Sequence, residues 1–254
     1  MSGWLKVVGL GPGGAAQLTP EAAEALSAAT DLVGYHTYLD RVSRRDGQRR
    51  HGSDNREEID RARHALALAA DGARVTVVSS GDPGVFAMAS SVFEAVEAGP
   101  VAWRALDIQV VPGITAMLAA AARLGAPLGH DFCAISLSDN LKPWPLVLRR
   151  LEAAAKAGFV TALYNPTSKA RPWQLDAAFD ALRGWLPATI PVMFATAVGR
   201  ADERIDTVDL AGARAALADM RTLVIVGSDA TRRIARPGAA DWIYSRRYVE
   251  EDRA

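Results

Sequence analysis

Seven short apolar runs, at residues 5–10, 74–79, 108–111, 132–137, 159–164, 191–198 and 222–226, each pass directly into a small polar loop. Runs of this length, rich in β-branched residues, read as strands. The stretches between them are rich in alanine and carry helix signals. Thr19-Pro20-Glu21 offers a capping hydroxyl and then a proline whose fixed φ suits the first helical position, which predicts a helix to about Ala29. Asp54-Asn55-Arg56-Glu57 has the form of a capping box, after which Ile59, Ala62, Leu66 and Ala69 share one helix face until Gly72 supplies a left-handed stop. A further strand is expected near residues 31–35. Strands interleaved with helices, several of them almost wholly apolar, define an α/β class with sheets covered on both faces and largely parallel; all-α and all-β classes are excluded. A chain of 254 residues accommodates two small domains, and the glycines and proline of residues 124–129 place the boundary between 1–124 and 125–254.

The loops are Gly9-Leu10-Gly11-Pro12-Gly13-Gly14, Ser80-Gly81-Asp82-Pro83-Gly84, Pro112-Gly113-Ile114-Thr115-Ala116, Ser138-Asp139-Asn140, Asn165-Pro166-Thr167-Ser168, Gly199-Arg200 and Gly227-Ser228-Asp229. In open α/β sheets ligands bind at the carboxyl ends of the strands, where loops splay and helix N-termini present free N–H groups. Gly9, Gly11 and Gly14 fit a dinucleotide fingerprint in part, so a nucleotide-dependent oxidoreductase is an alternative reading. Three features oppose it. Pro12 removes an N–H from the middle of the loop, the next helix starts late, at Thr19, and Asp31 stands at the beginning of the second strand instead of its end.

Lys and Arg number 29, as do Asp and Glu, so the chain has no net field for a polyanion and nucleic acid is not an expected partner. The single cysteine, Cys133, allows no internal disulfide and no four-thiolate cluster, which fits a reducing compartment. With neither a secretory leader nor an uncharged apolar run of about 18 residues, the sequence reads as a cytoplasmic protein with no membrane partner.

Val7-Val8-Gly9-Leu10-Gly11-Pro12-Gly13, Ser79-Ser80-Gly81-Asp82-Pro83-Gly84-Val85-Phe86 and Val111-Pro112-Gly113-Ile114-Thr115-Ala116 resemble, in order and spacing, the tetrapyrrole methylases that use S-adenosylmethionine in corrin and sirohaem synthesis. The resemblance spans nearly the whole chain. Gly34-Tyr35-His36-Thr37-Tyr38-Leu39, His130-Asp131-Phe132-Cys133-Ala134-Ile135-Ser136-Leu137-Ser138-Asp139 and Leu163-Tyr164-Asn165-Pro166 look like a subgroup that methylates a corrin precursor and contracts its macrocycle. The resemblance implies two α/β domains with the methyl donor folded into the cleft between them, S-adenosylhomocysteine as product, a tetrapyrrole as substrate, and a homodimer. It implies donor contacts at Gly11 and Pro12, at Gly81 and Asp82, and at Thr115 and Ala116, with Tyr164, Asn165 and Ala197 as looser transfers. Asp82 suits the donor's ammonium or ribose hydroxyls, and its glycine neighbours let backbone come close.

Methyl transfer from a sulfonium needs no enzyme nucleophile, but ring contraction needs proton management. His36 is the candidate, since it lies in the segment resembling the family's substrate-side loop and an imidazole suits acid–base work. A polycarboxylate substrate calls for arginine forks. Arg41 and Arg200 are the expected contacts, within a basic stretch that also holds Arg44, Arg45, Arg49, Arg50 and Arg56 and beside later loop cations such as Lys169 and Arg171. His51 and His64 read as exposed loop and helix residues, Cys133 as a buried strand residue, and Trp144 and Trp173 carry no assigned role. A carrier that retains the fold without turnover is the non-enzymatic alternative.

Overall fold

In this computed structural model, which describes residues 3–54 and 57–248, the chain forms two units, the first running to Ala116 and the second from Met117. The division falls at the start of a helix, ahead of the 124–129 stretch where the sequence places the boundary. Residues 125–126 are already committed to the second unit, because they pair with a strand near its end.

The first unit contains β1 (Trp4–Gly9), α1 (Pro20–Ala28), β2 (Asp31–Tyr35), α2 (His36–Leu39), β3 (Arg49–Ser53), α3 (Glu58–Ala70), β4 (Arg74–Ser79), α4 (Met88–Ala98) and β5 (Asp107–Val111). Its strands form one wholly parallel sheet in the order β3-β2-β4-β1-β5. Leu5, Val7, Val75 and Val77 pack with Ala62 and Leu66 of α3 and Met88 and Val92 of α4. Val8, Leu32, Val78 and Val111 pack with Ala22, Ala25 and Leu26 of α1. Burial on both faces is why the inner strands β1, β2 and β4 are largely apolar, while the edge strands β3 and β5 are more exposed. The helix starts follow the expected chemistry: Thr19 Oγ1 accepts from Ala22 N at 3.1 Å with Pro20 opening α1. Before α3 the Glu57 carboxylate accepts from Asp54 N at 3.2 Å, one arm of the expected capping box; Asn55 and Arg56 lie outside the described residues. Gly72, at φ 89°, ends α3 as expected. An all-parallel sheet has one consequence for function: the loops after β1, β4 and β5 leave from the same edge.

The second unit follows with α5 (Ala116–Leu124), which begins on the last residue of the first, then β6 (Gly125–Ala126), β7 (Phe132–Ser136), α6 (Trp144–Lys156), β8 (Val160–Tyr164), α7 (Gln174–Arg183), β9 (Pro191–Thr196), β10 (Arg204–Asp209), β11 (Thr222–Val226), β12 (Thr231–Ile234) and β13 (Trp242–Ser245). Its main sheet has the order β10-β9-β11-β8-β7, and β12, β13 and β6 form a smaller one. Val147 and Leu151 of α6 and Leu175, Phe179 and Leu182 of α7 cover one face, with Phe179 edge-on to Phe194 at 5.9 Å. Full burial of side chains of this size contributes about 1.5–3 kcal/mol each.

Here the expectation of a largely parallel sheet fails. Of its neighbouring pairs only β7 and β8 are parallel; β11 opposes β8 and β9, and β10 opposes β9. The connection from β9 to β10 spans only residues 197–203, too short for the crossover a parallel neighbour requires, so it closes as a hairpin. The strand directions then place the Gly227-Ser228-Asp229 loop at the edge opposite the loops after β7, β8 and β9. Gly227 N donates to Pro191 O, at the start of β9, at 2.9 Å. Among the described residues no helix is long and apolar enough to cross a membrane.

Candidate active site

At the carboxyl edge of the first sheet three loops meet backbone to backbone. Gly11 N donates to Gly81 O at 3.1 Å and Gly81 N to Gly11 O at 3.0 Å, a two-bond bridge between the loops after β1 and β4. Both glycines are left-handed, at φ 66° and 61°, a conformation a Cβ would strain. The third loop packs as closely: a Cβ on Gly9 would stand 2.6 Å from Gly81 O and 2.7 Å from Gly113 N, and one on Gly113 would collide with Gly81 O. Asp82 fastens the set. Its Oδ1 accepts from Gly84 N at 2.8 Å, closing a turn, and its Oδ2 accepts from Gly113 N at 3.1 Å. Each carboxylate oxygen can accept a second hydrogen bond, so this fastening leaves acceptor capacity. The Cβ direction of Gly81 points toward Thr115 Cα, 3.7 Å away, and Ala116 N, 3.8 Å away, and Thr115 is buried. Six expected donor residues, Gly11, Pro12, Gly81, Asp82, Thr115 and Ala116, are thus brought together.

Arg41, just beyond α2, reaches into this group. Its Nη2 donates to Leu10 O at 3.2 Å and Gly11 O at 2.9 Å, and its Nη1 to Ser80 Oγ at 3.2 Å. The sequence leads one to expect a substrate carboxylate there; the structure gives both terminal nitrogens to the protein's own loops. His36 opens α2 at the end of β2, exposed, with its ring laid over Gly52 so that a Cβ there would overlap it.

In the second unit Tyr164 ends β8 and its hydroxyl accepts from Met117 N, in the first turn of α5, at 3.2 Å. Asn165 follows at φ 52°, its Nδ2 donating to Ser136 Oγ at 3.0 Å. Ala197 follows β9, buried and left-handed at φ 53°, and its carbonyl accepts from Arg200 N at 3.0 Å. A side-chain-bearing residue in this region costs about 1–2 kcal/mol, and such strain concentrates at functional sites. Phe86 is a third such residue, at φ 51° and half exposed beyond the Asp82 turn. Sequence reasoning passes over Phe86 because no residue pattern announces a left-handed phenylalanine. It also misses Glu203, whose carboxylate accepts from Gly199 N at 2.6 Å and from Arg123 Nε at 3.0 Å and so holds the Arg200 turn.

Much of the basic stretch serves structure. Arg49 grips Asp31 with bonds of 2.8 and 2.9 Å, and Arg50 donates to Leu39 O, Val42 O and Ser43 O, each at 2.8 Å. Arg56 lies outside the described residues. His51 is in strand β3, not in a loop; its Nε2 lies 2.8 Å from Asp31 Oδ1 and its Nδ1 3.0 Å from His64 Nε2. Burial alone would raise the Asp31 carboxyl, but bonds from Arg49, His51 and Thr30 outweigh it and hold it below the usual carboxylate range. Burial, and then the neighbouring His51, lower His64. Asp31 is therefore consumed within the fold and α1 begins only at Pro20, in keeping with two of the features that oppose the dinucleotide alternative. Cys133 is half-buried beside Thr161 Oγ1, and burial pushes its thiol up. Trp144 and Trp173 pack on each other edge to face at 5.0 Å. Among the described residues no group of three or more His, Cys, Asp or Glu side chains is placed to hold a metal ion.

Two α/β units, with glycine loops fastened together at the strand ends of the first, are joined here to a sequence match that covers most of the chain. The chain belongs to the Tetrapyrrole (Corrin/Porphyrin) Methylases, whose sequence profile matches residues 5–235. Within that family it is 59% identical over 248 residues to a precorrin-3B C(17)-methyltransferase of Sinorhizobium sp, covering 98% of each chain. It is 43% identical to a probable cobalt-factor III C(17)-methyltransferase of Salmonella typhimurium, over 89% of this chain and 93% of that one. It also aligns along its whole length, at 48% identity, with half of the cobalamin biosynthesis protein CobIJ of Mycobacterium tuberculosis. Among solved structures, the methyltransferase CobJ superimposes with a TM-score of 0.92 at 52% identity, over 96% of this chain and 100% of that one. The uroporphyrin-III C-methyltransferase of Thermus thermophilus, solved with S-adenyl homocysteine, shares the fold at 21% identity and a TM-score of 0.68, over 89% of this chain and 97% of that one.

Proposed function

We propose that this chain transfers a methyl group from S-adenosylmethionine to carbon 17 of precorrin-3B and contracts the macrocycle to give precorrin-4. The observation that carries the reading is the closure of the Gly11, Gly81 and Gly113 loops around Asp82 in a chain this similar to a precorrin-3B C(17)-methyltransferase. The donor's fit is supported by a rim of bare backbone, where a Cβ at Gly9 or Gly113 would collide, beside one carboxylate with acceptor capacity. Bound there, the donor supplies an electrophilic sulfonium methyl. Gly11, Pro12, Gly81, Thr115 and Ala116 present the backbone against it and Asp82 accepts its hydrogen-bond donors; Tyr164, Asn165 and Ala197 add contacts on the strength of their motif match and the strained backbone at the last two. What these residues contribute is placement, and an in-line approach at ~3–3.5 Å contributes ~7–11 kcal/mol. His36 handles the proton of ring contraction from its exposed place at the end of β2, and Arg200 receives a substrate carboxylate.

The metal-free pigment is preferred to the cobalt form because identity is 59% to the precorrin enzyme and 43% to the probable cobalt-factor III enzyme. A cytoplasmic homodimer completes the reading on the resemblance alone, and sedimentation tests the dimer. The decisive experiment incubates the protein with methyl-labelled donor and either precorrin-3B or cobalt-factor III and follows pigment and S-adenosylhomocysteine by mass spectrometry. Label enters the precorrin product. Unlabelled pigment in both arms, or calorimetric binding of a nicotinamide dinucleotide in place of S-adenosylhomocysteine, would falsify the reading.

A further inference from the structure

We infer that Arg41 is a positioning residue for the donor: it clamps the first two glycine loops in the spacing the donor requires, and so acts on donor affinity and not on substrate carboxylates. The inference rests on the proposed methyl-transfer reading of this same rim. Its basis is the set of partners Arg41 selects. One guanidinium fork, half-buried, spans two successive carbonyls of the first loop, Leu10 O and Gly11 O, and the Ser80 hydroxyl at the start of the second. Without it, among the described residues the tips of the first two loops are joined by the Gly11–Gly81 pair of bonds, beyond the Leu10 N–Ser79 O bond of 2.8 Å where β1 and β4 end, and that pair lies between two residues with no side chain to restrain the backbone. A loop held in its binding geometry for only part of the time weakens apparent affinity by that fraction. Gly11 O receives both Gly81 N and Arg41 Nη2, so the clamp reinforces the bridge on the oxygen the bridge itself uses. Arg41 also lies two residues beyond the end of α2, which begins with His36, so the segment bearing the proposed proton carrier is tied to the donor loops through the same fork.

A lysine keeps the charge at this position but offers a single ammonium point in place of a planar fork, and cannot reproduce three bonds in two directions. Arg41→Lys is therefore the informative variant, with Arg41→Ala and Ser80→Ala beside it. Calorimetry with S-adenosylhomocysteine reads donor-site affinity, steady-state kinetics read KM for donor and pigment separately, and amide exchange reads the Gly11 and Gly81 N–H groups that bridge the loops. Arg41→Lys is expected to weaken S-adenosylhomocysteine by about tenfold or more and to speed exchange at both glycines, with the pigment KM within about twofold of the parent. Ser80→Ala, which removes one of these acceptors, weakens it by a smaller factor in the same direction. Should Arg41→Ala not fold, the lysine and serine variants carry the test. Unchanged S-adenosylhomocysteine affinity in Arg41→Lys, or a loss confined to the pigment KM, overturns the inference while the function stands. A parent protein that binds no S-adenosylhomocysteine overturns the function and this inference with it.

Discussion

The two units bring chemistry to their strand ends by different means. In the first, a parallel sheet sends the loops after β1, β4 and β5 to one edge, and glycines let those loops touch through the backbone alone, with Asp82 as the staple. In the second, antiparallel β11 takes its own loop to the far edge, and the turns after β8 and β9 are held by side chains: Asn165 on Ser136, the Tyr164 hydroxyl on Met117 N, and Glu203 on Gly199 N. Two of those turns place residues with a Cβ, Asn165 and Ala197, in the left-handed region. The first arrangement is intolerant of added atoms where its glycine loops touch; the second tolerates them and holds strain at Asn165 and Ala197.

The sharpest way to break that contrast is Gly113→Ala. The new methyl meets the backbone oxygen of Gly81, which cannot swing aside, so a loss of about 2–4 kcal/mol in urea unfolding is expected together with loss of S-adenosylhomocysteine binding. A variant of parent stability would show that the loops are not in close register. Asp82→Ala ranks next. It leaves the amides of Gly84 and Gly113 without their acceptor, at about 1–3 kcal/mol for each one that water does not reach, and calorimetry should show donor-site affinity down by about tenfold or more. Full affinity would reduce Asp82 to a turn residue.

In the second unit the expected sign reverses. Ala197→Gly relieves a left-handed backbone, and after the entropy cost of glycine a net gain of roughly 0.5 kcal/mol should appear as a higher Tm. A lower Tm would mean that the methyl packs well enough to outweigh the strain. The smallest effect concerns the first unit's far side. Because burial and His51 lower the His64 pKa, the unfolded chain takes up that proton before the folded one as pH falls. Stability from this group is complete above the ordinary histidine pKa of about 6.5 and is lost progressively below it. His64→Gln should flatten the fall of Tm between pH 7 and pH 5, and identical slopes in parent and variant would remove the effect; the depressed Asp31 carboxyl acts in a separate, more acid window.

Strands β2, β4 and β11 have the bounds that their apolar runs suggest, and the three glycine loops are legible because glycine placement is a local signal. Strand β3, with the sequence Arg-Arg-His-Gly-Ser, escapes notice because a polar edge strand offers no apolar alternation. The direction of β11 between β8 and β9 is a matter of which strands it pairs with, not of what it contains, so a rule built on parallel strands misplaces the Gly227 loop. Partners distant along the chain are the other blind spot. Arg41 reads as a substrate contact and His51 as an exposed loop residue until the fold brings Gly11 to one and Asp31 to the other.

The paired hydrogen bonds between Gly11 and Gly81, and the bond that Gly113 N donates to Asp82, make a continuous chain through all three loops. A fault anywhere along it is felt at both ends, so paired substitutions across these loops should cost less, or more, than the sum of their parts. The three stretches are in that sense a single heritable unit written in three places, free to drift only in concert.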